Sequence, residues 1–265
     1  MNKRLFCIDI DGTLVRSDYT LGPLTKSLFP RLAEDGDIVL LSSGRPIRSL
    51  YPYYQKLKLK GPLCCYNGSY VGHPYNGLCF PTIDPYIEKE ELLKLLSPFA
   101  DKLDFFMGEN HHVNVESRPN PFLEKYFPIE GIKHHIVSSL EELPDKMKIA
   151  IISTSKEVAN QIKERFEGHP HYSFHFWRNE PYCEIVLREA NKGDALDKVA
   201  AYYGVEKEDI FAFGDSENDY PMLKRAAHAY AMKGCKSARL AENFKATEKG
   251  NDQDGVAFEI LKYCD

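Results

Sequence analysis

Residues 4–14, Arg4-Leu-Phe-Cys-Ile-Asp-Ile-Asp-Gly-Thr-Leu14, form an apolar run that ends abruptly in two carboxylates, Asp9 and Asp11, one residue apart. Such a run reads as a buried β-strand with acids at its C-terminal tip. In a parallel α/β sheet, ligands bind outside the carboxyl ends of the strands, so charges there line a crevice rather than the core. Gly12 and Thr13 then let the backbone turn away. Alone, an Asp-x-Asp after a strand reads as loop solvation or a helix cap. Three further strand ends downstream change that reading.

Outward from this strand, a helix is expected from Gly22-Pro23 to Asp35, with Gly36 as its stop and Pro30 forcing a kink or two short helices. A strand over 37–41 runs into Ser42-Ser43-Gly44-Arg45-Pro46. A helix bent at Pro52 follows, with Ile47, Leu50, Tyr51 and Tyr54 at helical spacing. A third strand, 63–66, leads to Asn67-Gly68. Residues 70–73 and 78–81 then flank Pro74-Tyr75-Asn76-Gly77, a hairpin signal.

From Asp84 the texture changes. An acidic helix (86–99), a strand (103–107), a turn at Gly108 to Asn110, a strand (112–115) and a Pro-rich helical stretch (119–127) precede a strand (148–152). A helix capped by Ser155 (155–166) and strands at 172–177 and 182–187 complete an α+β layer of about a hundred residues. The βα rhythm then returns: helix 193–203, strand 210–213 with Gly214-Asp215-Ser216, helix 218–226, strand 229–232 and a last helix from Asp254. This places one α/β domain at 1–83 and 188–265, interrupted by an inserted domain at 84–187.

The 265 residues allow two domains or one domain with an insert. With 34 basic and 39 acidic residues the net charge is −5, which does not point to a nucleic-acid partner. The charged N-terminus precedes an apolar run that Asp9 cuts after about five residues, too short for a signal peptide, and no stretch approaches a membrane span. Seven cysteines include no Cys-x-x-Cys and lie mostly in apolar contexts. They read as reduced core residues of a cytoplasmic protein. The paired histidines His111-His112 and His134-His135, with His169, His171 and His175, lack a carboxylate or cysteine spacing that would complete a zinc site, and read as exposed.

Four strand ends carry chemistry together. The first holds Asp9 and Asp11. The second, Leu41-Ser42-Ser43-Gly44-Arg45, brings hydroxyls and helix N–H groups, a phosphate cradle in which either serine could serve. The third, Glu189-Ala190-Asn191-Lys192-Gly193-Asp194, brings a lysine to a loop-to-helix junction. The fourth, Ile210 to Leu223, brings Asp215 and Asp219 around a helix start, where N-capping by Asp215 and Ser216 is the plainer reading. Cleaving a phosphomonoester through a covalent intermediate needs a nucleophile, an acid for the leaving oxygen, cations for the phosphoryl oxygens and a metal spanning them. Hard carboxylate oxygens suit Mg²⁺.

Asp-x-Asp-Gly-Thr-Leu, the Ser-Gly turn, the Lys-Gly junction and Gly-Asp-Ser-Glu-Asn-Asp together resemble the signatures of the haloacid dehalogenase (HAD) superfamily of phosphohydrolases. Asn67-Gly68, the run 227–232 and Asp254-Gly255-Val256-Ala257 resemble its Cof-type, sugar-phosphatase-like members with a type IIB (C2) cap. The resemblance implies a Rossmann-like HAD core with a central parallel sheet and an inserted α+β cap. It also implies an Mg²⁺-dependent phosphatase of small phosphorylated metabolites. On that resemblance Asp9 is the nucleophile and Asp11 the acid/base, while Asp9, the Asp11 carbonyl and Asp215 ligate Mg²⁺ with Asp219 behind them. Ser43, Gly44, Lys192 and Asn218 hold the phosphate. Arg45, Asn67, Trp177 and Glu184 are candidates for the leaving group, Glu184 by resemblance to Cof-type caps.

Two rivals share parts of the pattern. A phosphoacceptor receiver module has acids, a hydroxyl and a lysine at sheet ends, yet is half this length and carries an adjacent acidic pair without an insert. A phosphomutase would share Asp9 and Asp11 and return the phosphoryl group. A P-loop enzyme would need a Gly-Lys-Ser/Thr element that this chain lacks.

Overall fold

The computed structural model describes residues 3–74, 84–177, 180–235 and 237–264. The chain divides into two compact units, Met1–Ile83 with Asn191–Asp265 and, between them in sequence, Asp84–Ala190. The first unit begins with β1 (Leu5–Asp9), α1 (Pro23–Glu34), β2 (Ile38–Ser42), α2 (Ile47–Lys56), β3 (Leu63–Cys65) and β4 (Tyr70–Gly72). The second holds β5 (Ile87–Glu88), α3 (Lys89–Leu96), β6 (Leu103–Glu109), β7 (Val113–Glu116), α4 (Pro121–Glu124) and β8 (Lys133–Ile136). It continues with β9 (Lys146–Met147), β10 (Ile149–Thr154), α5 (Lys156–Phe166), β11 (Tyr172–Phe176) and β12 (Tyr182–Leu187). The chain then returns to the first unit with α6 (Lys192–Tyr203), β13 (Ile210–Gly214), α7 (Tyr220–Arg225), β14 (His228–Ala231), α8 (Ala238–Asn243), β15 (Lys245–Ala246) and α9 (Gly255–Leu261).

The first unit is built on a seven-stranded sheet in the order β15-β14-β13-β1-β2-β3-β4. Only the β3–β4 pair is antiparallel. β1, β2 and β13 are continuous apolar runs because a parallel strand is buried on both faces. Leu5 and Cys7 face Leu196, Val199, Met222 and Leu223 of α6 and α7, whereas Phe6 stacks on Phe211 with ring centroids 4.9 Å apart. Register does the positioning. Asp9 pairs with Ser42 and Ile8 with Phe213, so the ends of the three central strands lie level.

α1 has no cap of its own. The carboxylate of Asp254, 229 residues further on, accepts from Thr25 Oγ1 at 2.6 Å and Thr25 N at 3.2 Å. Arg16 Nη2 donates to its other oxygen at 3.3 Å. Asp254 itself sits at φ 55°, in the left-handed region that Asp tolerates better than most residues.

The second unit has a six-stranded sheet, order β11-β12-β10-β6-β7-β8, antiparallel except for β7–β8. Leu92, Leu96, Ala159, Ile162 and Phe166 of α3 and α5 pack on the face formed by Phe106, Val115, Ala150, Ile152 and Ile185. Among the described residues no helix is long and apolar enough to cross a membrane.

Several local expectations are corrected. α1 is one continuous helix through Pro30 rather than two short ones. Around Pro30, the buried face of Leu28, Phe29, Leu32 and Ala33 offsets the one missing hydrogen bond. The acidic helix starts only at Lys89, because Ile87–Glu88 pairs with Lys146–Met147. Gly108 and Glu109 are strand rather than turn, with Gly108 lying under Met147. The turn falls later, where Asn110 Oδ1 accepts from the main-chain N–H of His112 and Val113, each at 2.9 Å. His111 and His134 are half-buried, not exposed, and pair with Asp84 at 3.0 Å and Glu116 at 2.6 Å. The second strand of the hairpin expected at 70–81 lies outside the described residues, as do Arg178 and Asn179.

Because Asp254 stitches the two ends of the first unit together, Asp254→Ala is expected to lower stability by about 2 kcal/mol in chemical denaturation. Asp254→Asn keeps an acceptor and the left-handed backbone and should lose clearly less. Equal losses would show that the cap is not what Asp254 supplies.

Candidate active site

The turn after β1 reverses at Gly12, φ 78°, where any side chain would also run into the Asp215 carboxylate, 2.5 Å from a Cβ placed there. That close approach lets the β1 and β13 ends share one site. Its centre is Lys192, the first residue of α6, wholly buried. Lys192 Nζ donates to Asp9 Oδ1 and to Asp219 Oδ1, each at 2.6 Å. Asp219 is also wholly buried, and its second oxygen accepts from the main-chain N–H of Asp215 at 2.9 Å and of Ser216 at 3.0 Å. Asp215 instead has a less committed carboxylate, with Ser216 Oγ donating to Oδ1 at 3.0 Å.

Asp9, Asp215 and Asp219 each present an oxygen within 4.8 Å of the others. Three carboxylates thus share one ammonium. Burial would strip the charge from Lys192, but Asp219 and Asp9 together outweigh it and hold the ammonium charged. The carboxylates bear the imbalance: burial, then Asp219, pushes Asp215 up to about 6, and burial with the same neighbour raises Asp9 well above the usual carboxylate range. A divalent cation among these hard oxygens would cancel that excess. Asp9 and Asp215 have oxygens left to give one, whereas Asp219 is spent on its hydrogen bonds.

Asp11 is held apart from this cluster. Arg45 Nε and Nη2 donate to its two oxygens at 2.7 and 2.5 Å, a bidentate clamp. The guanidinium also lies 5.3 Å from the Tyr19 ring centroid. Ser43 is buried; its hydroxyl accepts from Arg45 N at 3.1 Å, and its own N–H is taken by Cys64 O at 2.9 Å. Ser42, the other candidate, is wholly buried on β2. On the rim, Asn218 Nδ2 donates to Asn67 Oδ1 at 2.8 Å, and Asn67 lies 3.2 Å from a Cβ placed on Gly44. Tyr66 and Asn67 are consecutive non-glycine residues at φ 50° and 56°, strain of the kind that functional loops hold.

Trp177 and Glu184 belong to the second unit and meet each other there, Trp177 Nε1 donating to Glu184 Oε2 at 3.1 Å. Trp177 also packs among Phe122, Tyr126, Phe127 and Tyr182. Motif spacing exposed the strand-end residues, but not the scaffold behind them: Asn191, which caps α6, and Arg225, which grips it. Ion pairs between helices carry no signature in the sequence.

The family model for haloacid dehalogenase-like hydrolases matches residues 6–260, and the chain belongs to that family. Among its relatives is the 5-amino-6-(5-phospho-D-ribitylamino)uracil phosphatase YitU of Bacillus subtilis, 29% identical, the match covering 98% of this chain and 97% of that protein. The pyridoxal phosphate phosphatase YbhA of Escherichia coli is 26% identical over 88% of each. A haloacid dehalogenase-like hydrolase of Bacteroides thetaiotaomicron shares the fold with a TM-score of 0.81 at 20% identity, covering 99% of this chain and 100% of the other. A HAD subclass IIB sugar phosphatase superposes with a TM-score of 0.75 at 21% identity, covering 99% of each chain.

Because the folded-state value of Asp215 is raised, the stability it contributes is present at acid pH and is lost as pH rises through about 6. A cation must displace the proton, so Mg²⁺ binding should weaken by up to about tenfold per pH unit below that value. Calorimetric titration with Mg²⁺ from about pH 5 to 7.5 checks this. Affinity flat across that window would mean the carboxylates are already charged.

Proposed function

We propose that this chain is a phosphatase that hydrolyses phosphomonoesters of small metabolites through an aspartyl phosphate on Asp9. The buried bridge from Asp9 through Lys192 to Asp219 carries the reading, because it aims a carboxylate and a fixed cation at one point beside the β1 end. Asp9 attacks phosphorus in line, forming an O–P bond as the bond to the leaving oxygen breaks. Lys192 balances charge that gathers on the phosphoryl oxygens. Asp11 gives the leaving oxygen its proton, then takes one from the water that attacks the aspartyl phosphate, releasing phosphate and restoring Asp9. In the ligand-free protein Arg45 fixes the orientation of Asp11. Mg²⁺, held by Asp9, the Asp11 main-chain carbonyl and Asp215, would neutralise phosphoryl charge; Asp219 would orient Asp215 and Lys192 from behind.

Ser43, the Gly44 N–H and Asn218 are the phosphate contacts on this reading. The rim pair Asn67 and Asn218 stands where the ester group would emerge. The relatives act on phosphorylated ribitylaminouracil and pyridoxal, both small phosphomonoesters with ring-bearing alcohols, which supports the same substrate class here. We read the inserted unit as a C2-type cap that selects the substrate through Glu184 and Trp177. Free buried Cys7, Cys64, Cys65 and Cys183 suit a reducing, cytoplasmic setting.

Phosphate release across a panel of phosphorylated metabolites with Mg²⁺ tests the activity, and recovery of the phosphoryl group on a second sugar position instead of in solution would identify a mutase. Asp9→Asn should cut turnover by more than about 10³-fold while the protein stays folded, since an amide cannot attack phosphorus. A rate near that of the native protein would remove Asp9 from the mechanism. Glu184→Gln and Trp177→Ala should lower kcat/KM for the best metabolite by about tenfold or more and leave acetyl phosphate nearly unchanged. Equal losses on both substrates would show that the pair only holds the second unit together.

A further inference from the structure

Lys192 has no helix turn before it to fix its backbone; it is the first residue of α6. What fixes it comes from α7. Arg225, the last residue of α7, reaches back to the start of α6 with all three guanidinium nitrogens. Nη1 donates to Asn191 Oδ1 at 3.3 Å and to the Pro221 carbonyl at 3.2 Å. Nη2 donates to Asp194 Oδ1, and Nε pairs with Asp197 Oδ2 at 2.7 Å.

Asn191 and Asp194 bracket the lysine. Asn191 Oδ1 caps α6 by accepting from Gly193 N at 3.0 Å and Asp194 N at 2.9 Å, and its Nδ2 donates to Asp194 Oδ2 at 2.7 Å. Gly193 is the only residue type that admits the grip, since a Cβ there would lie 1.6 Å from Arg225 Nη1 and 2.6 Å from the Pro221 carbonyl oxygen. The other side of Asn191 is equally close-packed: a Cβ on Gly68 would come within 2.7 Å of its carbonyl oxygen. Asn67, next in the chain, is joined to Asn218, which directly precedes Asp219. The contacts therefore close a ring from α7 to the α6 start, to the Asn67 loop and back to the start of α7.

We infer that Arg225 is a positioning residue for the reaction, setting the distance between the α6 start, which carries Lys192, and the segment that carries Asp215, Asn218 and Asp219. Its fork is planar and engages several acceptors at once, so it fixes angle as well as distance. Arg225 is about one-third exposed, with a side-chain exposure of 31%, and ion pairs of that kind add little to folding. Its consequence falls on geometry, where a displacement of about 1 Å in a charged group can lower a rate by up to about a hundredfold.

The inference rests on the phosphatase reading above, so the native protein is assayed first with Mg²⁺ and the metabolite panel. If it releases no phosphate, that reading fails and Arg225 is not at issue. With activity in hand, Arg225→Met should lower kcat about tenfold or more, leave KM within about twofold and barely move the thermal unfolding midpoint. Arg225→Lys, which keeps the charge and one carboxylate contact but not the fork, should recover part of the loss. Should Arg225→Met fail to fold, Asp194→Asn carries the test: the arginine stays, one arm of the grip is weakened, and kcat should again fall with KM held. Asp197→Asn weakens only the outermost contact, to a residue that is more than half exposed and does not touch the Asn191 cap, and should stay near the native rate. The inference is overturned if folded Arg225→Met or Asp194→Asn keeps kcat within about twofold, or if activity falls only in proportion to the folded fraction.

Discussion

The first unit depends on one buried contact, the ammonium of Lys192 between Asp9 and Asp219. A lysine with no exposed surface is tolerated only if its charge is met at close range, and here Asp9 and Asp219 both meet it. Asp9 lies 183 residues and Asp219 27 residues from Lys192. The contact therefore requires the beginning of the chain and its last third to close on each other. The parallel register of β1 between β2 and β13 makes that closure possible, because it brings the three strand ends to one level.

The same contact leaves the site with a deficit of positive charge. Asp11 is matched by Arg45, but Asp9, Asp215 and Asp219 have a single lysine among them. In a buried setting such an excess is relieved by taking up protons or by taking up a cation, and the raised value of Asp215 is the first of these at work. Asp215 and Asp219, four residues apart and both acidic, are thereby separated in role. One has its oxygens tied to an ammonium and two main-chain N–H groups; the other keeps oxygens to offer.

The second unit handles its polar groups differently. Lys148 is wholly buried, paired with Asp84 at 2.5 Å and resting 3.8 Å from the centroid of the Tyr86 ring; burial, countered by Asp84, brings it down to about 8. Glu116 is nearly as buried and is met by His134 across the parallel β7–β8 pair. β8 itself, Lys-His-His-Ile, shows no apolar alternation, so nothing local marks it as a strand. It becomes one because β7 offers a free edge and a carboxylate for His134.

What the sequence determined by itself were the features that short-range physics writes locally. Apolar runs ending in acids at 9 and 215 and in serines at 42 and 43 marked three strand ends, and Lys192 marked the start of a helix. The change of texture at Asp84 falls where the second compact unit begins. Pro30 misled for the complementary reason: local propensity argues for a division into two short helices, and the buried face of a helix docked on a sheet overrules it. Only the tertiary structure decided which acid faces which cation. Asp11 going to Arg45, Asp219 to Lys192, Asp254 to the start of α1 and Arg225 to Asn191 are all pairings between segments that no spacing relates. They follow from the parallel register and from close backbone approaches at Gly12 and Gly193, and a charge in the sequence does not say which partner three-dimensional packing will bring within its reach.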